Sequence, residues 1–329
     1  MLIKNLIKDN ELKKIGSADN FSEKTRTLFN YQIKNFPFLR NCSANFESAE
    51  FRNFVSQSSN IIFKYYVNNQ SLEHLDNKQT SSPNNCPLCI QNLPTELKVV
   101  QYGNDFIIRV NLHPIFEEQI IISKIRHIPQ KINRSFEDLL NTSKDLGKFY
   151  SVYYNSPDCG ALITDHLHFN ACKKNEIPIE KEYDFLKKEN CRLTGNNGKL
   201  NVYASTNFNR KFIALESKSK VELLNIFKIF YDGFLKISDD SIEPMINIIS
   251  TFDNNKWLIL IFPRKKNKVG FEQIIPELDS VNLGGLCFTD RKEIFETATK
   301  NDFEKMFEKN SVSTEFFEYL VNRCETYFR

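Results

Sequence analysis

The segment Asp165-His166-Leu167-His168-Phe169-Asn170 constrains this chain more than any other. Polar and apolar residues alternate through it, and in a strand successive side chains point to opposite faces. Leu167 and Phe169 then enter a core. His166, His168 and Asn170 line the other side, about 6.5 Å between neighbours. Two adjacent imidazoles are costly inside a core, because each needs a polar partner. The spacing therefore predicts a half-buried strand whose polar face meets a site. All five histidines (His74, His113, His127, His166, His168) lie in the first 168 residues. Histidine-dependent chemistry must then sit in the N-terminal half.

The second informative feature is Cys86-Pro87-Leu88-Cys89; the other six cysteines are scattered. In a reducing compartment a CxxC pair more often binds metal or does redox work than forms a structural disulfide. Two thiolates and two histidines make a tetrahedral zinc set. His127 and one member of the His-x-His pair can complete it, leaving the other histidine for catalysis.

Composition narrows the remaining classes. With 41% hydrophobic and 26% charged residues in 329, the chain has the make-up of a globular protein, not a disordered one. A net charge of +3 gives no concentrated basic surface for bulk nucleic-acid binding. No apolar run approaches the roughly 20 residues of a membrane span. The lysine-broken start, Met1 to Asp9, lacks a continuous signal-peptide core, so a cytoplasmic protein is expected.

Along the chain, residues 1–80 read as a polar, irregular extension ending in a strand over Ile61 to Val67. Strands are expected at Leu97 to Tyr102, Asp105 to Asn111 and Gln119 to Lys124. A helix beginning with a capping box at Ser135 keeps helical spacing up to Asn155. A boundary is placed between about Glu176 and Lys199, where Pro178, charges and Gly195-Asn196-Asn197-Gly198 cluster. Beyond it come a helix over Val221 to Ile237, a hairpin of Met245 to Phe252 and Lys256 to Phe262 around Asn254-Asn255, and a helical tail from Arg291. Strands with a few long helices and an antiparallel hairpin give an α+β class. The division is 1–80, 81–180 with Cys86, Cys89, His127 and the His166–His168 pair, and 195–329. His74 and His113 read as surface or loop residues, and Leu283-Gly284-Gly285 as a tight turn.

Several of these segments match one family in order. Cys86 to Pro94, Pro114-Ile115-Phe116 through His127-Ile128-Pro129-Gln130, and Gly160-Ala161 to His166-Leu167-His168-Phe169 resemble the histidine-triad superfamily, in its galactose-1-phosphate uridylyltransferase and GDP-L-galactose phosphorylase branch. In the second half, Glu243 to Asn247, Ile261-Phe262-Pro263-Arg264 and Leu283-Gly284-Gly285 are similar to family segments. The resemblance runs from about residue 60 to 310. It implies two histidine-triad-like halves, each an antiparallel sheet flanked by helices. By the family's HxHxQ motif, His168 is the nucleophile. Cys86, Cys89, His127 and His166 match a structural zinc site. Asn155 and Gly160 fit the phosphate-contacting stretch, Asn170 stands in place of the motif's glutamine, and Arg264 fits an anionic-substrate contact. The chain also departs from bacterial relatives at Gln119, Leu162, Asn267 and the 68–71 segment.

The implied reaction is nucleotidyl transfer through a covalent nucleotidyl-histidine. Its substrates would be a nucleoside diphosphate sugar or a dinucleoside polyphosphate, with inorganic phosphate or a sugar 1-phosphate as the second. The alternatives are a hydrolase, in which water resolves the intermediate, and a weakened nucleotide-binding protein. Nucleic acid and membrane are not expected partners, and homodimers occur among relatives of the superfamily.

Overall fold

The structure is a computed structural model. It describes residues 5–47, 49–55, 60–66, 82–206, 208–237, 243–265, 275 and 278–329. His74, the 68–71 segment and Asn267 lie outside them. Ten helices are labelled here in chain order: α1 Asp9–Ile15, α2 Phe21–Asn35, α3 Pro37–Glu47, α4 Phe136–Leu146, α5 Pro178–Glu189, α6 Lys220–Leu235, α7 Ser280–Leu283, α8 Lys292–Thr297, α9 Lys300–Asn310 and α10 Thr314–Glu325. Three strands, β1 Glu50–Val55, β2 Asn60–Tyr65 and β13 Leu286–Thr289, form a small sheet in which β13 runs parallel to β2.

The other ten strands form one antiparallel sheet. In the first half they are β3 Val100–Tyr102, β4 Phe106–Val110, β5 Gln119–Lys124, β6 Tyr150–Asn155 and β7 His168–Lys173. In the second they are β8 Cys191–Asn196, β9 Leu200–Ser205, β10 Ile213–Ser217, β11 Ile246–Asp253 and β12 Lys256–Pro263. The spatial order is β3-β4-β5-β7-β6-β11-β12-β10-β9-β8. Read outward-in from each end, both halves have the same order, and each places one long helix between its third and fourth strands: α4 in the first, α6 in the second. The α+β class and the two like halves are therefore present, fused into one continuous sheet. The seam is the β6–β11 pair, where Asn155 lies opposite Asn247.

The core has two layers. On one face of the sheet, Val152, Tyr154, Leu167, Phe169 and Ala171 pack with residues of α2, α4, α6 and α10. On the other, Tyr153, Cys172, Ile249 and Phe262 pack with the small sheet and with α5, α8 and α9. The interdigitated period-2 pattern is what assigns Leu167 and Phe169 to the helical side, both fully buried.

Two expectations need correction. The N-terminal region is not irregular: residues 9–47 carry three helices, with Asn20 capping α2 by accepting from the Glu23 amide. The helix expected from Ser135 to Asn155 ends at Leu146, and Tyr150–Asn155 is a central strand buried on both faces. Ser135 stands at its N-cap position without a side-chain capping bond. The stretch between the halves carries helix α5, which Pro178 opens at its first turn. The hairpin turn is as expected, with Asn254 and Asn255 both at positive φ (49° and 59°), the combination a two-residue type I′ turn requires. Among the described residues, no helix is long and apolar enough to cross a membrane.

Candidate active site

A cavity of about 370 Å³ opens on the non-helical face of the first half, within the usual range for small-molecule sites. Its floor is the sheet itself: Arg109 on β4, Gln119 and Ile121 on β5, His168 and Asn170 on β7, and Tyr153 and Asn155 on β6. Its walls come from the loops carrying Leu88, His113 and Gly160–Ile163, and from Asp279 of the second half.

His168 is the first residue of β7, and only 6% of it is exposed. Its Nδ1 lies 2.8 Å from the His166 carbonyl oxygen, which can only accept, so Nδ1 carries the proton. The lone pair is then on Nε2, which has no protein hydrogen-bond partner among the described residues. Burial is the main cause that pushes the His168 pKa down to about 4. The backbone of His168 is held on both sides by Gln130: the His168 N–H donates to Gln130 Oε1 (2.8 Å), and Gln130 Nε2 donates to the His168 carbonyl (3.1 Å) and to that of Asn155 (3.0 Å).

The other expected phosphate-side residues divide. Asn170 lines the cavity, and its side-chain amide has no partner among the described residues. Asn155 also lines it, but its Oδ1 is engaged by Asn247 Nδ2 (2.8 Å), the Ser280 amide (2.9 Å) and the Ser280 hydroxyl (2.5 Å), which leaves its amide nitrogen as the donor toward the cavity side near Gly160. Gly160 has φ +83°, and a Cβ there would stand 2.6 Å from Asp279 Cβ, so only glycine permits this approach of the two halves. Arg264 is not in the lining. Its guanidinium is 3% exposed and donates to Asn247 Oδ1 (2.7 Å), the Leu278 carbonyl (3.0 Å) and Asn310. It thus stands behind Asn155, one hydrogen bond removed, rather than facing a substrate.

His166 precedes the strand, and its ring turns to the cysteines instead of the cavity. Cys86, Cys89, His127 and His166 offer four donor atoms within 4.8 Å of one another. The separations are 3.2 Å (Cys86 Sγ to His166 Nδ1), 3.3 Å (Cys89 Sγ to His127 Nδ1) and 3.5 Å (Cys89 Sγ to His166 Nδ1). A tetrahedron with ordinary metal–sulfur and metal–nitrogen bonds has sulfur–nitrogen edges of about 3.6 Å. The outer nitrogens also suit ligation: His166 Nε2 lies 2.7 Å from the Lys124 carbonyl, and His127 Nε2 3.6 Å from Asp165. Both cysteines are buried and free of a disulfide. Burial first, then the neighbouring Cys86, pushes the Cys89 thiol up to about 12, so a thiolate forms there only with a cation to hold it. The four residues fit a metal ion.

Three lining residues with a charged or imidazole side chain lie outside the set of site residues expected from the sequence. Arg109 is a lone charge inside the apolar run Phe106–Val110, a signal that was there to be read. Asp279 could be placed only once Gly160 met it in space. His113, read as a surface residue, is half-buried against Phe38 and faces the cavity.

The family described as "Domain of unknown function (DUF4922)" matches residues 28–173, a span holding the Cys86, Cys89, His127 and His166 cluster and all the cavity residues of the first half. A comparison with curated proteins finds no match. Among solved structures the chain is similar to yeast Ap4A phosphorylase Apa2, with a TM-score of 0.58, 16% identity, and 84% of this chain and 96% of that chain covered. The same enzyme in complex with AMP gives 0.56 and 15%, over 85% and 96%. A structure of a uridylyltransferase is similar at a TM-score of 0.37 and 10% identity, over 76% and 100%, too distant to carry an argument. These likenesses establish the fold, the α+β arrangement seen in yeast Ap4A phosphorylase Apa2, and do not select the uridylyltransferase branch.

Proposed function

We propose that the cavity binds a nucleotide and that His168 transfers its nucleotidyl group. The observation that carries this is the fixed tautomer: Nδ1 is tied to the His166 carbonyl, and the Nε2 lone pair faces the cavity beside Asn170. Nε2 would attack the α-phosphorus, forming a P–N bond while the bond to the leaving oxygen breaks and that oxygen keeps the electron pair. The Nδ1 proton stays on the ring, and its bond to the carbonyl stabilises the cation formed. Phosphate, as the second substrate, would then attack the same phosphorus, break the P–N bond and restore the imidazole. Asn170 and Asn155 supply donors for the charge that gathers on the phosphoryl oxygens.

The solved structures of like fold were obtained with AMP and with Ap4A, which favours a dinucleoside polyphosphate over a nucleotide sugar as the substrate class. The Cys86, Cys89, His127 and His166 cluster would hold zinc. A bound ion would fix the Cys86 loop and the His166 backbone, and so the carbonyl that orients His168; the cluster keeps no open position that chemistry would need.

The test is a panel of dinucleoside polyphosphates and nucleoside diphosphate sugars, incubated with and without inorganic phosphate and read by mass spectrometry. Phosphate-dependent formation of two nucleotides from a dinucleoside polyphosphate is expected. Phosphate-independent release would make the protein a hydrolase. Binding without turnover of any member would leave a nucleotide-binding protein.

A further inference from the structure

Arg109 has no place in the reading of His168 so far. It lies mid-way along β4, where Ile108 and Val110 point into the helical core, so its own side chain rises on the cavity face. Strand pairing puts Arg109 in one row with Ile121, Asn170 and Tyr153. Asn170 is thus two strands away, about 10 Å between Cα atoms, and His168 lies one step further along the same strand face, roughly 12 Å away. An arginine and a histidine pointing the same way across that gap can place guanidinium and imidazole on either side of one phosphate group.

The guanidinium is also conspicuous for what it lacks. Arg109 is 4% exposed, and its Nε has no hydrogen-bond partner. No hydrogen bond or ion pair engages the rest of the group among the described residues. A buried cation without a partner is costly to a fold. Arg264 donates to side-chain and backbone oxygens, and Arg210, although one of its terminal nitrogens is also unpartnered, donates from the other to the Leu283 carbonyl; Arg109 has no such bond among the described residues. The Asp279 carboxylate lines the same cavity but is occupied in capping α7. An anion entering the cavity would complete Arg109, and the planar fork suits two oxygens of one phosphate.

We propose that Arg109 is the phosphate-recognising residue of this cavity, binding the phosphate chain of a nucleoside di- or polyphosphate opposite His168, with the Asn170 amide as a second donor. This deepens the reading of the cavity as a nucleotide site and rests on it. It also separates two tasks: His168 would act on the phosphorus, and Arg109 would determine that a charged phosphate, rather than a neutral nucleoside, is held there.

The probes are inorganic pyrophosphate, ADP and adenosine, titrated calorimetrically into zinc-replete wild type, Arg109→Met, Arg109→Lys and His168→Ala. Pyrophosphate and ADP are expected to bind wild type, and to bind His168→Ala more tightly than Arg109→Met. Both should bind Arg109→Met about 10- to 100-fold more weakly than wild type, the effect of losing a charged hydrogen-bonding partner. Arg109→Lys should fall between, having the charge without the fork. Adenosine should bind all four proteins equally. If Arg109→Met binds pyrophosphate and ADP as wild type does, or if wild type binds neither, the proposal is overturned. It is overturned too if Arg109→Met weakens adenosine by the same factor or loses its metal, since Arg109 would then be a structural support of the Cys86 loop. Should pyrophosphate binding depend on Arg109 while no nucleotide is ever turned over, the anion site stands and the transfer chemistry fails.

Discussion

Gln130 clasps His168 by both backbone groups, accepting from its amide at 2.8 Å and donating to its carbonyl at 3.1 Å. The strand could not begin at His168 with its N–H satisfied otherwise, because the residues before it bend away toward the cysteines. A buried amide that serves both roles fixes where the imidazole starts and so where Nε2 points. Gln130→Glu keeps the size and the acceptor but loses the donor to the carbonyls of His168 and Asn155. Turnover is expected to drop about 10- to 100-fold with little change in KM, since an orientation effect falls on the chemical step. A variant whose KM rises while kcat holds would show that Gln130 shapes binding instead.

His168→Ala should abolish turnover, with a fall of several orders of magnitude, while metal content and folding persist. Wild type quenched during turnover of a labelled nucleotide should carry an acid-labile, base-stable adduct on this residue, as a phosphoramidate is. Near-wild-type turnover by His168→Ala would mean direct in-line attack by the second substrate.

Purified protein should hold close to one zinc ion per chain, and Cys89→Ala should lose it. Because the ion would bind the folded cluster and not the unfolded chain, chelation should lower the melting temperature. Protein that is metal-free as purified, with unchanged melting after zinc is added, would leave the four residues as a thiol–imidazole cluster and nothing more.

Glu243 is 6% exposed, and burial pushes its pKa up to about 7 against the pull of the Ile132 amide, the Tyr154 and Tyr231 hydroxyls and the Lys131 charge. The fold therefore prefers it protonated. Its contribution is fully present below about pH 4.5 and is lost as pH rises through about 7, amounting to about 3 kcal/mol. Denaturant unfolding at pH 5 and pH 8 should show a smaller stability difference in Glu243→Gln than in wild type. Equal differences in the two proteins would remove Glu243 as the cause.

The site was more legible in the sequence than the fold around it. Alternation alone put Leu167 and Phe169 in a core and His168 and Asn170 on a polar face, because a half-buried strand writes its two environments in successive letters. Tyr150–Asn155 carries no such record: all six residues are buried, and the aromatic spacing at Leu146, Phe149, Tyr150 and Tyr153 imitates a helix. The N-terminal helices escaped notice for the opposite reason. Beside Leu28 and Phe29, helix α2 buries Ser22, Thr25, Thr27 and Gln32, so much of its inner face is written in polar residues, and the partners of two of them, the Asp145 carbonyl for Ser22 and the Glu96 carbonyl and Lys98 amide for Gln32, lie far along the chain. Arg264 was expected to meet an anionic substrate, but a cation near a strand end does not announce whether a ligand or Asn247 and Asn310 will receive it.

The β6–β11 seam joins two segments of a single molecule, so the ten-stranded sheet closes at a rate and with a strength that dilution cannot change. A sheet assembled from two separate copies would instead come apart as concentration fell, and both copies would have to keep identical sequences on either side of the joint. Here the two asparagines across the joint have different tasks: Asn155 faces the cavity, and Asn247 opposite it braces that residue from behind, anchored by Arg264. At this joint the second half serves as the scaffold of its neighbour's cavity.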